Sequence, residues 1–145
     1  MNHQHQRRRR WWALCALLPL LAACKPPPDA PIVKCTGLAV DMHARRDCTV
    51  TIHRTERPQT ATFRVDKQTK NSIRLDARFT VQQGAVKITI QGSPGSHHEL
   101  HITPDTPGHI ETDMRLSVAR KEFRVRFEPE GVAEGIAGEV GFQTR

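Results

Sequence analysis

Phe79-Thr80-Val81-Gln82-Gln83-Gly84-Ala85-Val86-Lys87-Ile88-Thr89-Ile90-Gln91 carries the clearest strand signature in the chain. Phe79 and Val81 flank Thr80, while Val86, Ile88 and Ile90 alternate with Lys87, Thr89 and Gln91. A period of two puts the apolar side chains on one side of an extended strand and the polar ones on the other. Between the two halves stands Gln82-Gln83-Gly84, and glycine supplies the positive φ that a tight turn demands. The segment predicts a β-hairpin with one buried face and one wet face.

The same period continues in both directions. Upstream, Leu38, Val40 and Met42 form one set, Cys48, Val50 and Ile52 a second, and Ala61, Phe63 and Val65 a third. Ile73, Leu75 and Ala77 form a fourth, reached through the polar turn Asp66 to Ser72. Downstream, Gly92-Ser93-Pro94-Gly95-Ser96 breaks the chain before Leu100 and Ile102 open another strand. Met114, Leu116 and Val118 are expected to pair with Phe123, Val125 and Phe127 across Ala119 to Glu122. Ile136, Gly138, Val140 and Phe142 share one parity in a closing strand. No stretch holds a 3.6-residue apolar period. About eight or nine short strands imply an all-β domain, a β-sandwich immunoglobulin-like in general architecture, with a small β-barrel as the alternative. The likeness is one of shape, because the chain has no tyrosine and both tryptophans stand at its amino-terminal end.

That end is different in kind. Arg7 to Arg10 form a cationic run, and Trp11 to Leu21 an apolar stretch well short of the roughly 20 residues a spanning helix needs. Leu21-Ala22-Ala23-Cys24 follows. Residues 1–24 resemble the lipobox signal peptides of bacterial lipoproteins. The resemblance implies removal of residues 1–23 and acylation of Cys24, with two or more chains anchoring the protein stably. Lys25, in place of an inner-membrane-retaining aspartate, implies the inner leaflet of the outer membrane, facing the periplasm. Residues 24–31 would be the lipidated cysteine and a proline-rich tether, reaching roughly 20 Å at polyproline rise. Residues 32–145 would be the β-sandwich domain.

The resemblance also reshapes the charge and cysteine counts. The formal charge of +7 includes the four arginines of the signal; without them 18 Lys and Arg face 15 Asp and Glu, a balance of +3. That is too mild for a nucleic-acid-binding balance. Of the four cysteines, Cys15 leaves with the signal and Cys24 takes the lipid. Cys35 and Cys48 remain as an even pair in an oxidising compartment and are expected to form a disulfide. Redox activity would favour C-x-x-C spacing, which they lack.

Two constellations could carry chemistry. His97, Glu99 and His101 fall on one face of an extended strand, and such groups can bind Zn²⁺ or Cu²⁺. The run His98-Glu99-Leu100-His101 is one residue short of H-E-x-x-H, and the plainer reading is a polar outer face with solvated histidines. The second is an anion-binding patch, with Arg115, Arg124 and Arg126 at outward parity and Arg120 and Lys121 at the turn. Guanidinium forks grip carboxylates and phosphates; the plainer reading is a charged edge that deters pairing. Gly92-Ser93-Pro94-Gly95-Ser96 is not the G-x-S-x-G elbow of serine hydrolases. No enzyme and no cofactor is expected. The expectation is an envelope lipoprotein that docks on a protein partner as an accessory or assembly domain, with a periplasmic metal-binding module at His97 to His101 as the alternative.

Overall fold

A computed structural model describes residues 29–36, 45–65 and 71–145. The signal segment, Cys24, most of the tether, the set Leu38, Val40 and Met42, and the turn residues 66–70 lie outside them. Alternating residues become nine strands among the described residues. In chain order these are β1 (Ile32–Thr36), β2 (Arg46–Thr55), β3 (Gln59–Arg64), β4 (Ser72–Thr80), β5 (Val86–Gln91), β6 (His97–Ile102), β7 (Gly108–Arg115), β8 (Glu122–Pro129) and β9 (Ala133–Thr144).

The strands form two antiparallel sheets, in the orders β1-β2-β9-β4-β7 and β3-β8-β5-β6. They do not close into a barrel; the fold is a β-sandwich, as the pattern implies. Inward parity matches expectation: Cys48, Val50 and Ile52, Ala61 and Phe63, Ile73, Leu75 and Ala77, and Ile136, Val140 and Phe142 are all buried. All five phenylalanines lie in the core. Phe63 stacks on Phe123 at 4.9 Å and Phe142 packs edge-on against both, while Phe79 meets Phe127 edge-on at 5.8 Å. Offset or edge-on rings use the aromatic quadrupole favourably.

Two pairings differ from expectation for a common reason. Phe79 to Gln91 is not a hairpin: β4 belongs to the five-stranded sheet and β5 to the four-stranded one. Gly84 does take a positive φ of 87°, but its turn carries the chain across the core. The Gln82 and Gln83 N–H groups both donate to the Glu134 carbonyl, pinning the crossing to the start of β9. Likewise Met114 pairs with Ile73 of β4, whereas β8 pairs with β3 and β5. Val118, assigned to the inward set, is 72 % exposed in the β7–β8 connection. Facing sheets bury two apolar sets against each other, and an alternating pattern does not reveal whether successive strands pair sideways or stack. The tight hairpin is instead β5–β6, whose Gly92–Ser96 turn has Gly95 at φ 81°.

Cys35 and Cys48 are directly opposed on β1 and β2 and form the expected disulfide. β1 is otherwise thinly held, Val33 being its one part-buried residue.

Candidate functional site

β6 does place His97, Glu99 and His101 on one exposed face. They do not converge. Side chains two apart on a strand stand roughly 7 Å apart, so His97 and His101 are separated by about 13 Å. Glu99 pairs with Lys87 at 3.0 Å and His101 with Glu130 at 3.2 Å. Among the described residues, no group of three His, Cys, Asp or Glu is placed to hold a metal ion.

The arginine patch is rearranged. Arg124 and Arg126 share the outward face of β8, but Arg126 sits mid-sheet and pairs with Glu128 at 2.9 Å. Arg115 is on β7, in the other sheet, so no hairpin face unites it with them. Lys121 is not a surface group: it is 8 % exposed, its backbone lies at φ 50°, and its carbonyl accepts the Val65 N–H at 2.8 Å. What unites Arg115, Arg120 and Arg124 is the end of the sandwich where β7 stops and β8 starts. The same end collects Arg46 at the start of β2, Arg64 at the end of β3, and Arg145.

Among the described residues, the carboxylates of this end are already engaged. Glu122 pairs with Arg124 at 2.8 Å, Asp113 with Arg145 at 3.2 Å, and Asp47 with Arg45 at 2.8 Å. Arg46, Arg64, Arg115 and Arg120 have no carboxylate partner among the described residues. The opposite end carries Glu56, Asp105, Glu130 and Glu134 together with Arg57 and with Arg54, which pairs with Glu56 at 3.2 Å and Glu134 at 3.1 Å, so the excess of cations lies at the first end.

The two sides of the sandwich are closed differently. Where β6 and β7 meet, the Ser93 N–H donates to the Arg115 carbonyl at 2.8 Å. Gly92 lies so close that a Cβ would fall 2.3 Å from that carbonyl oxygen. Backbone seals this side. On the β3 side the joint is a side chain: Arg46, at inward parity on β2, donates from Nη1 to the Arg64 carbonyl at 3.4 Å. Beside it opens a cleft of about 560 Å³ lined by Phe63 and Phe142 and by Cys35, Arg46, Thr62, Arg64, Arg124 and Glu122, the last paired with Arg124. Guanidiniums above an aromatic floor can hold a carboxylate or phosphate and cover apolar groups attached to it.

A second polar network, which the sequence pattern did not suggest, crosses the five-stranded sheet. Arg45 spans β9 to reach Asp47 at 2.8 Å on one side and Asp76 at 3.3 Å on the other, and His109 meets Asp76 at 3.0 Å. Gly141 makes this possible, since a Cβ there would sit 2.4 Å from the Arg45 Nη2. The hydrogen bond from His109, reinforced by Arg45, holds the Asp76 carboxyl below its ordinary range against the opposing effect of partial burial. No sequence signal links these residues, because register alone brings Asp76 opposite Gly141.

No known family's sequence model matches this chain, and no curated protein is significantly similar to it.

Proposed function

We propose that this chain is a lipid-anchored protein of the bacterial cell envelope, acylated at Cys24, whose β-sandwich binds an acidic partner protein through its basic end. The role is one of docking rather than catalysis, as an accessory or assembly domain. The single observation that carries the reading is the gathering of Arg46, Arg64, Arg115 and Arg120, none with a carboxylate partner among the described residues, at one end of the domain. An excess of charge of one sign on a surface steers and orients a partner of the other sign.

The anchor and the site fit together. β1 runs from opposite Thr51 towards opposite Asp47, so residues 29–31 lead into it from the side away from those arginines. A tether arriving from there would hold the basic end away from the membrane, towards the periplasm. The Cys35–Cys48 bond suits that oxidising compartment, and Lys25 favours the outer membrane.

Crosslinking in intact cells followed by affinity capture tests the reading. One dominant acidic envelope protein is expected with the native chain, and its loss with Arg46, Arg64, Arg115 and Arg120 all changed to glutamate. Equal capture by the charge-reversed chain would refute the docking surface. Mass spectrometry of the amino terminus tests the anchor: a diacylated or triacylated Cys24 is expected, and an unmodified Met1 would refute it.

A further inference from the structure

We propose that the outer edge of β3, unpaired among the described residues, seats an extended acidic segment of the partner over the cleft at its end, the segment adding as a fifth strand to the four-stranded sheet. This rests on the docking role above and specifies its geometry.

Backbone polarity gives the first argument. The Val65 N–H bonds to Lys121, across towards β8. In an antiparallel pair successive residues point their N–H and C=O groups alternately towards and away from the partner strand. Thr60, Thr62 and Arg64 therefore aim theirs outward, to the edge where the sheet order ends. The Arg46 bond to the Arg64 carbonyl is a direct sign of that direction. An incoming strand finds three outward-facing residues in register, a template of the kind used in strand-addition recognition.

Comparison among the sheet edges gives the second. β6 and β7 lie against each other and are tied by the Ser93–Arg115 bond, so the side they share is closed by main chain. β3 is tied to β2 by flexible side chains, Arg46 on the Arg64 carbonyl at one end and Gln59 Nε2 on Thr55 Oγ1 at 3.5 Å at the other. Displacing Arg46 from the Arg64 carbonyl opens the edge and releases a guanidinium to pair with the newcomer.

Charge sets the chemistry. Outward side chains of an added strand would stand beside Thr60, Thr62 and Arg64, with Arg124 one strand further in, opposite Thr62. Inward ones would enter the cleft over Phe63 and Phe142, beneath Arg46. The fitting segment alternates Asp or Glu with apolar residues over about six positions, the length of β3.

The test uses purified full-length protein in detergent micelles and three fluorescein-labelled octapeptides. These are four Glu-Val repeats, four Lys-Val repeats, and the Glu-Val peptide with alternate backbone nitrogens methylated. The acidic peptide is expected to bind at least about tenfold more tightly than either control. Arg46→Glu with Arg64→Glu should weaken it about tenfold or more, and Arg78→Glu, on the outer face of β4 in the other sheet, should leave it unchanged. Thr62→Pro removes an edge N–H without breaking the β3–β8 ladder and should abolish binding; if that variant fails to fold, the methylated peptide tests the same backbone bonds from the other side. Equal binding of methylated and unmethylated peptides overturns strand addition. Capture of the cellular partner separates the two claims. Loss on quadruple charge reversal but not with Thr62→Pro sinks the added strand alone, whereas retention in both sinks the docking surface as well.

Discussion

Asp76 shows how one carboxylate can make stability depend on acidity. Its folded pKa lies below the unfolded value of about 3.9 because His109 and Arg45 bond to the ionised form. Depression of this sign means that the unfolded chain takes up the proton first. The contribution is therefore complete above the unfolded pKa and fades as pH falls through the lower folded one. Asp76→Asn should lower the melting temperature at pH 7, and the gap from the native protein should close as pH falls through the lowered folded pKa. Thermal melts across that range provide the check, and a gap constant with pH would show that packing, not charge, is lost. Arg74 gains a comparable partner in Glu111 on the neighbouring β7, at the surface, where such pairs contribute little.

Among the strands, β1 stands apart. It is an edge strand of five residues, four of them exposed, and the disulfide holds it to β2. A bridge over a sequence separation of 13 is worth on the order of 3 kcal/mol through the unfolded chain. Replacing both Cys35 and Cys48 by alanine should lower stability by about that amount in urea titration. Amides of residues 32–36 should then exchange first, well before those of β4 and β9. Retained protection in β1 would mean that its hydrogen bonds suffice alone. Individual strands were also what the sequence disclosed best. Val86, Ile88 and Ile90, or Ile73, Leu75 and Ala77, announce their inward faces by alternation, and all are buried. Partners were harder to read. Gly84 signals a turn whichever sheet the next strand joins, and Val118 continues the parity of Met114 and Leu116 although the chain has already left β7.

For the domain as a body, the decisive property is the excess of cations at one end. The sequence contained every arginine of the basic end, but Arg46 and Arg64 lie in strands whose neighbours become known only once the sheets stack. The grouping of Arg115 with Arg120 and Arg124 was visible from proximity in the chain; their common location at an end, rather than on a hairpin face, was not. Because that surface is exposed, its attraction for an acidic partner should be screened over about 8–10 Å at physiological salt. Capture of the partner should decline steadily between about 50 and 500 mM NaCl, chiefly through slower association. Salt-independent capture, measured by surface plasmon resonance, would point to an apolar contact instead.

The cross-strand bond of β1 has a mechanical consequence. In the proposed arrangement, any tug between the membrane and a captured partner enters the domain through Ile32. Only Ile32, Val33 and Lys34 precede Cys35 in β1, so peeling stops after those three. Beyond them the load crosses a covalent link into β2, which lies alongside the sheet's central strand, β9. The fold thus receives traction on its backbone of longest strands, and the segment enclosed by the two cysteines is spared it.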